Sequence, residues 1–74
     1  MPQYRFELDS SSDRWVTLWR DGVPLDTGYG CDRPTAYLEL WAGLVSAGEL
    51  DAAAQVANAY RELTGKEPER GARG

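Results

Sequence analysis

The spacing of apolar residues changes once along this chain, near Asp32, and that change constrains the fold more than any other feature. Before it, apolar residues alternate with polar ones, as in YRFEL (residues 4–8), which is the pattern of a half-buried strand. After it, apolar residues recur at intervals of three and four, which is the pattern of an amphipathic helix. We therefore expect strands in the first part of the chain and helices in the second.

Three strands are predicted, over residues 4–8, 14–20 and 23–29. The DSSSD segment after the first strand is rich in residues that hydrogen-bond to their own backbone, so it should form a turn. Asp21–Gly22 is a favoured two-residue hairpin turn. Pro24 has no N–H to donate, which places the third strand at an edge. The sequence thus predicts a three-stranded antiparallel β-meander over residues 4–30.

A helical hairpin is predicted over residues 33–64. Asp32 can cap the first helix, Pro34 suits its first turn, and Gly48 marks its end. The apolar stripe of this helix consists of Tyr37, Leu40, Trp41 and Leu44. One bent helix over residues 34–64 is the alternative, but its internal glycines would weaken it.

The second helix ends at Gly65 and repeats the same spacing in Ala53, Val56, Ala57 and Tyr60. Residues 66–74 carry no large apolar side chain, so we expect a disordered tail. The 74-residue chain has room for one domain, over residues 1–65. The predicted fold class is α+β, with the order βββαα and the sheet packed on the helical hairpin.

The chain has one cysteine, Cys31, and no histidine. A single cysteine cannot form an intramolecular disulfide, and the nitrogen and sulfur ligands of a zinc site are missing. Nucleophilic catalysis with a histidine base is excluded as well. We therefore expect no metal, no cofactor and no enzyme activity. A domain this small often gains stability from self-association.

The chain is acidic, with a net charge of −4 and a pI near 4.6. An acidic protein binds nucleic acid poorly unless its arginines cluster, because affinity depends on neutralising phosphates. The sequence has neither an apolar stretch long enough to span a membrane nor the pattern of a secretion signal. It predicts a cytoplasmic protein that does not bind membranes.

The middle strand is apolar on both faces, with Trp15, Thr17 and Trp19 on one and Val16 and Leu18 on the other. Helices on one side can cover only one face. We expect them to cover the valine and leucine, together with Tyr4, Phe6 and Leu8 of the first strand. In the alternative, which stays open, the two tryptophans form the core.

An exposed aromatic patch usually marks a contact surface, and tryptophan is enriched at interface hot spots. Arg5 and Glu7 alternate with the apolar residues of the first strand and so lie on the tryptophan face. That strand has no proline, so its edge could pair with a partner strand or with a second copy. The candidate partner-binding residues are Trp15, Thr17, Trp19, Arg5 and Glu7.

Cys31 precedes the first helix, where the helix dipole can lower a thiol pKa, but the neighbouring Asp32 opposes that effect. We expect Cys31 to fill the corner between sheet and helices as a small apolar residue. A reactive thiol or an interface disulfide is the alternative. The glycines of TGYG are expected to loosen the exit from the third strand.

These features predict a small cytoplasmic interaction or regulatory module, a homodimer or a binder of a protein partner through its tryptophan-bearing face. The three strands followed by a helix also resemble small DNA-binding sheet modules and antitoxin-type domains. That resemblance implies an alternative, a nucleic-acid-associated accessory protein that uses the sheet arginines, Arg5, Arg14, Arg20 and Arg33. Acidic residues outnumber these arginines in the same region, which favours the protein-binding function.

Overall fold

A computed structural model describes residues 1–69 of the chain. Three strands precede two helices: β1 (Tyr4–Leu8), β2 (Trp15–Arg20), β3 (Val23–Tyr29), α1 (Arg33–Ser46) and α2 (Leu50–Thr64). The α+β fold and its βββαα order are therefore confirmed. The part of the predicted tail beyond residue 69 lies outside the described residues. Residues 66–69 belong to no helix or strand, and Glu67 accepts a hydrogen bond from Arg61 at 3.0 Å.

The sheet is antiparallel with the order β1-β2-β3. The β2–β3 turn is the predicted one, since Asp21 and Gly22 both have a positive φ, of 54° and 80°, as the type I′ hairpin turn requires. The pairing of β3 with β2 shifts by one residue between Leu18 and Trp19, where Leu25 forms a bulge. That shift decides which β3 side chains lie on each face.

The loop between β1 and β2 is organised by the carboxylate of Asp9, which is 6% exposed. It accepts backbone hydrogen bonds from Ser11 at 3.0 Å, Ser12 at 3.3 Å and Arg14 at 3.2 Å, and it also binds both serine hydroxyls. These hydrogen bonds, chiefly that from the Ser12 hydroxyl, hold the pKa of Asp9 well below its usual 3.8. Strand β2 begins at Trp15 rather than at the predicted Arg14, because Arg14 donates its N–H to this loop.

The predicted helix ends are confirmed by their capping geometry. The Asp32 side chain accepts the Thr35 N–H at 2.9 Å, as an N-cap should. The Thr35 side chain and, secondly, this N–H lower the pKa of Asp32 by hydrogen bonding to its carboxylate. Gly48 and Gly65 follow the two helices with φ of 79° and 74°, the left-handed conformation that glycine adopts without strain.

The core lies between the sheet and α1, which packs against β2 and β3, while α2 packs against α1. Its largest fully buried side chains are Leu18, Leu40, Leu44, Val16 and Val56. Gly28 of β3 lies directly under α1: a Cβ there would be 2.2 Å from the Ala36 oxygen. Helix and sheet backbones can approach this closely only because residue 28 has no side chain.

The expected orientation of β2 is confirmed, because Val16 and Leu18 are fully buried under the helices. Tyr4 and Phe6 share that side and pack against the core. Leu8 lies opposite Val16 on the same side but is 37% exposed. The apolar side of β1 is therefore only partly covered.

The prediction that Cys31 fills the sheet–helix corner is wrong, because Cys31 is exposed. The backbone of Gly30 occupies that corner: a Cβ there would lie 2.6 Å from the Thr35 methyl group and 2.8 Å from the Ala36 nitrogen. Gly28 and Gly30 therefore allow close contact with α1 rather than loosening the strand exit. Among residues 1–69, no helix has both the length and the apolar character to cross a membrane.

Candidate functional site: the open sheet face

The side of the sheet that faces away from the helices is here called the open sheet face. Cross-strand partners point to the same side of a sheet, so the pairing register identifies its members. Its residues are Arg5, Glu7, Trp15, Thr17, Trp19, Pro24, Thr27 and Tyr29. No helix of the described chain covers this face, and neither Trp15 nor Trp19 belongs to the core cluster.

At one end of the face, Trp19 binds two side chains of the neighbouring strand. Its indole Nε1 donates to Glu7 Oε1 at 2.9 Å, and the Arg5 guanidinium carbon lies 4.7 Å from its ring centroid. A cation–π contact at an exposed site contributes about 0.5–1 kcal/mol. These contacts fix the indole in one orientation, which lowers the entropy that a binding partner would otherwise have to remove.

At the other end, Trp15 lies opposite Tyr29, which is 66% exposed. Trp15 is itself half-buried, and its indole N–H makes no hydrogen bond within residues 1–69. The two tryptophans are four residues apart on β2, or about 13 Å. The Trp15 end thus offers the half-buried Trp15 ring, the exposed Tyr29 ring and an indole N–H that has no partner among residues 1–69.

The centre of the face is formed by threonines. Thr17 is only 8% exposed, and its hydroxyl lies 2.7 Å from that of Thr27 on the adjacent strand. This contact uses the polar groups of both residues, so the centre presents mainly methyl groups. Thr17 forms the floor of the site between the two tryptophans.

The structure thus gathers Arg5, Glu7 and Trp19 into one cluster and places Trp15 at the opposite end, with Thr17 between them. Sequence reasoning missed the three β3 members of the face, Pro24, Thr27 and Tyr29. Thr27 and Tyr29 lie there because the bulge at Leu25 shifts the β2–β3 register by one residue. The only sequence signal for that shift is Pro24, since prolines within sheets occur at edges and bulges.

The sheet arginines do not form a basic patch. Arg20 lies on the helix side, where it donates to Glu49 at 3.0 Å, and this contact raises the pKa of Arg20. Arg33 forms an ion pair with Asp13. Of the residues that the structure describes, the open sheet face carries one cation, Arg5, and one anion, Glu7. Within the described residues, no group of three potential ligands could hold a metal ion.

A second concave region separates β1 from α2 and is here called the β1–α2 groove. It has a volume of about 520 Å³, and its lining includes Phe6, Tyr37, Gln55, Ala59 and Leu63. Burial raises the pKa of Tyr37, so the phenol stays neutral, and the Tyr37 ring meets Phe6 edge-on with centroids 5.4 Å apart. A smaller depression beside Tyr4 shares Gln55 with the groove. The helix side of β1 therefore opens to solvent along much of its length.

Comparison with known proteins finds no match: no family model fits the chain, and neither a curated protein nor a solved structure resembles it.

Proposed function

We propose that this protein is a small, non-catalytic interaction module that binds a protein partner through its open sheet face. The observation that supports this function is the position of Trp15, Trp19 and Tyr29 on a sheet surface that neither α1 nor α2 covers. An aromatic surface of this kind is typical of interface centres, because it gives large contact areas at low entropic cost.

The chemistry of the face favours an apolar protein segment that also offers a hydrogen-bond acceptor. The indoles, the Tyr29 ring and the threonine methyl groups suit aliphatic side chains. The free indole N–H of Trp15 suits a carbonyl or carboxylate oxygen of the partner. The Trp19 end is held in place by Glu7 and Arg5 before binding.

The charges of the face support a protein partner over a nucleic acid. Phosphate binding requires several uncompensated cations, whereas the one cation that residues 1–69 place on this face, Arg5, is balanced by Glu7. Arg20 and Arg33 are engaged in ion pairs away from it. We propose a cytoplasmic location as well, since a reducing compartment keeps an exposed thiol such as Cys31 in its free form.

The function is tested by placing a photo-crosslinking residue at position 29, on the open sheet face, and in a matched variant at position 50. Leu50 is equally exposed, at 65% against 66%, but lies at the start of α2. We expect a protein to be crosslinked from position 29 and not from position 50.

The crosslinked protein is then purified and titrated against Trp15→Ala, Trp19→Ala and Leu50→Ala. Loss of a hot-spot tryptophan should weaken binding about tenfold or more, and Leu50→Ala should leave it unchanged. Crosslinking from position 50 alone would refute the proposal, as would unchanged affinity in both tryptophan variants. Capture of nucleic acid whose binding weakens steeply with salt would also refute it.

A further inference from the structure

Strand β1 is an edge of the sheet, and within residues 1–69 nothing pairs with its outer side. The two sheet edges differ in how they are protected. Strand β3 has Pro24 and a bulge, which are devices that discourage pairing with another strand. All five residues of β1 pair with β2 without a register shift, and none is a proline. The edge that can accept another strand is therefore that of β1.

The hydrogen bonds to β2 show which groups of β1 are free. Asp21 donates its N–H to the Gln3 oxygen, and Asp9 donates its N–H to the Trp15 oxygen. Hydrogen bonding to one neighbour alternates along an antiparallel strand, so the odd-numbered residues of β1 bond to β2. The backbone groups of Tyr4, Phe6 and Leu8 consequently point towards the free edge. A strand added there must bond to these three residues.

We propose that the occupant of this edge is a second copy of the chain, whose β1 pairs antiparallel so that Phe6 lies opposite Phe6. In this register Tyr4 of each copy lies opposite Leu8 of the other, and Arg5 lies opposite Glu7. Three pairs with two hydrogen bonds each give about six hydrogen bonds across the interface. The contact is isologous, as a two-fold dimer requires.

Charge selects this register over its neighbours. If the two strands slide to the next hydrogen-bonded register in one direction, Arg5 lies opposite Arg5 of the other copy. If they slide in the other direction, Glu7 lies opposite Glu7 of the other copy. Like charges directly opposite each other on adjacent strands are destabilising, whereas opposite charges stabilise the pair. Each shifted register also keeps only about four of the hydrogen bonds. Backbone geometry and side-chain charge therefore favour the same arrangement.

The surroundings of β1 leave room for the second copy. The β1–α2 groove opens along the helix side of the strand, so α2 does not block the edge. Leu8 and Leu63 are 37% and 46% exposed beside it, and the apolar residues of the second β1 can cover them. Pairing thus buries apolar surface that the single chain leaves in water.

The dimer enlarges the surface proposed for partner binding. One three-stranded face covers only about 300 Å² in projection, estimated from strand spacing and rise. A standard protein interface buries about 800 Å² on each partner. Pairing of the two β1 edges joins the open sheet faces into one six-stranded surface. This inference goes beyond the proposed function, since the dimer can form without the partner.

The test is sedimentation equilibrium of the full chain and of two charge reversals, Arg5→Glu and Glu7→Arg. The unmodified chain should dimerise. Each variant alone should dimerise about tenfold more weakly or worse, because both cross-strand pairs become repulsive. An equal mixture of the two variants should form heterodimers, since each strand then faces opposite charges. Glu39→Arg on α1, an exposed site, makes the same change in net charge as Glu7→Arg and is the control for that variant.

A further variant tests the backbone pairing. Leu8→Pro removes an N–H that points to the free edge, so the monomer should stay folded and the dimer should be lost. A monomeric unmodified chain would overturn the inference. A dimer that neither charge reversal weakens would also overturn it, and so would failure of the mixed variants to associate. The proposed function is judged separately, from the partner affinity of the tryptophan variants.

Discussion

Replacement of Gly28 by alanine tests how the sheet and α1 are packed. The added Cβ would lie 2.2 Å from the Ala36 oxygen, 2.5 Å from the Leu40 nitrogen and 2.6 Å from the Leu40 Cβ. Two of these atoms belong to the α1 backbone and cannot turn away. The helix must therefore move outward by about 1 Å to reach ordinary contact distance, which separates Leu40 from Val16 and Leu18.

The free energy of unfolding should fall by about 2 kcal/mol. Overpacking of a core costs about 1–3 kcal/mol, and contact with backbone atoms places this case at the upper end. Alanine also restricts the unfolded chain, which offsets up to about 1 kcal/mol. For a domain of this size the melting temperature should fall by about 8–16 °C.

Gly43→Ala provides a matched control on the other side of the same interface. Its Cβ would meet only Asp26 Oδ2, at 3.1 Å, the end of a side chain that can turn. Alanine is also favoured over glycine within a helix by about 1 kcal/mol. Thermal and urea unfolding followed by circular dichroism would compare the two variants. A Gly28→Ala melting temperature within about 2 °C of the unmodified chain would show that α1 does not pack as described.

Three further predictions concern the loop, the helix cap and the thiol. The folded-state pKa of Asp9 lies below its unfolded value of 3.8, so its contribution to stability is present above that pH and is lost as the pH falls towards the folded pKa. Asp9→Asn should therefore reduce the loss of stability with falling pH at the acid end of a pH–stability curve. An unchanged curve would contradict this prediction. Asp32→Ala should lower the melting temperature by several degrees, whereas Asp32→Asn, which keeps a capping oxygen, should not. Equal changes of the melting temperature in the two variants would exclude capping as the cause. Cys31 should react with a thiol reagent in the native protein at nearly the rate measured in urea, whereas strong protection would show that it is buried.

The order of elements could be predicted because each has a local signal. The Asp21–Gly22 pair specifies a type I′ turn, Asp32 specifies a helix start, and Gly65 specifies a helix end. Each of these residues satisfies backbone geometry within a few neighbours. The direction of the tryptophans was expected but did not follow from the sequence alone, since helices on one side of a sheet leave its other side open without deciding which side that is.

The remaining features depend on contacts between distant residues. An unbulged hairpin would place Gly28 opposite Trp15, whereas the bulge at Leu25 brings Tyr29 there and turns Gly28 towards α1. The exposure of Cys31 has a similar origin, because the Gly30 backbone fills the corner expected for the thiol. Neither outcome follows from periodicity, which specifies faces only while the register is unbroken.

The most direct test of the proposed function follows the three indole N–H signals in a ¹H–¹⁵N spectrum during titration with the crosslinked partner. Trp15 and Trp19 lie on the open sheet face, whereas Trp41 on α1 packs against the core and serves as an internal control. We expect the signals of Trp15 and Trp19 to shift with added partner while that of Trp41 stays in place. A shift of Trp41 alone would show that the partner binds the helical side and would contradict the proposed function.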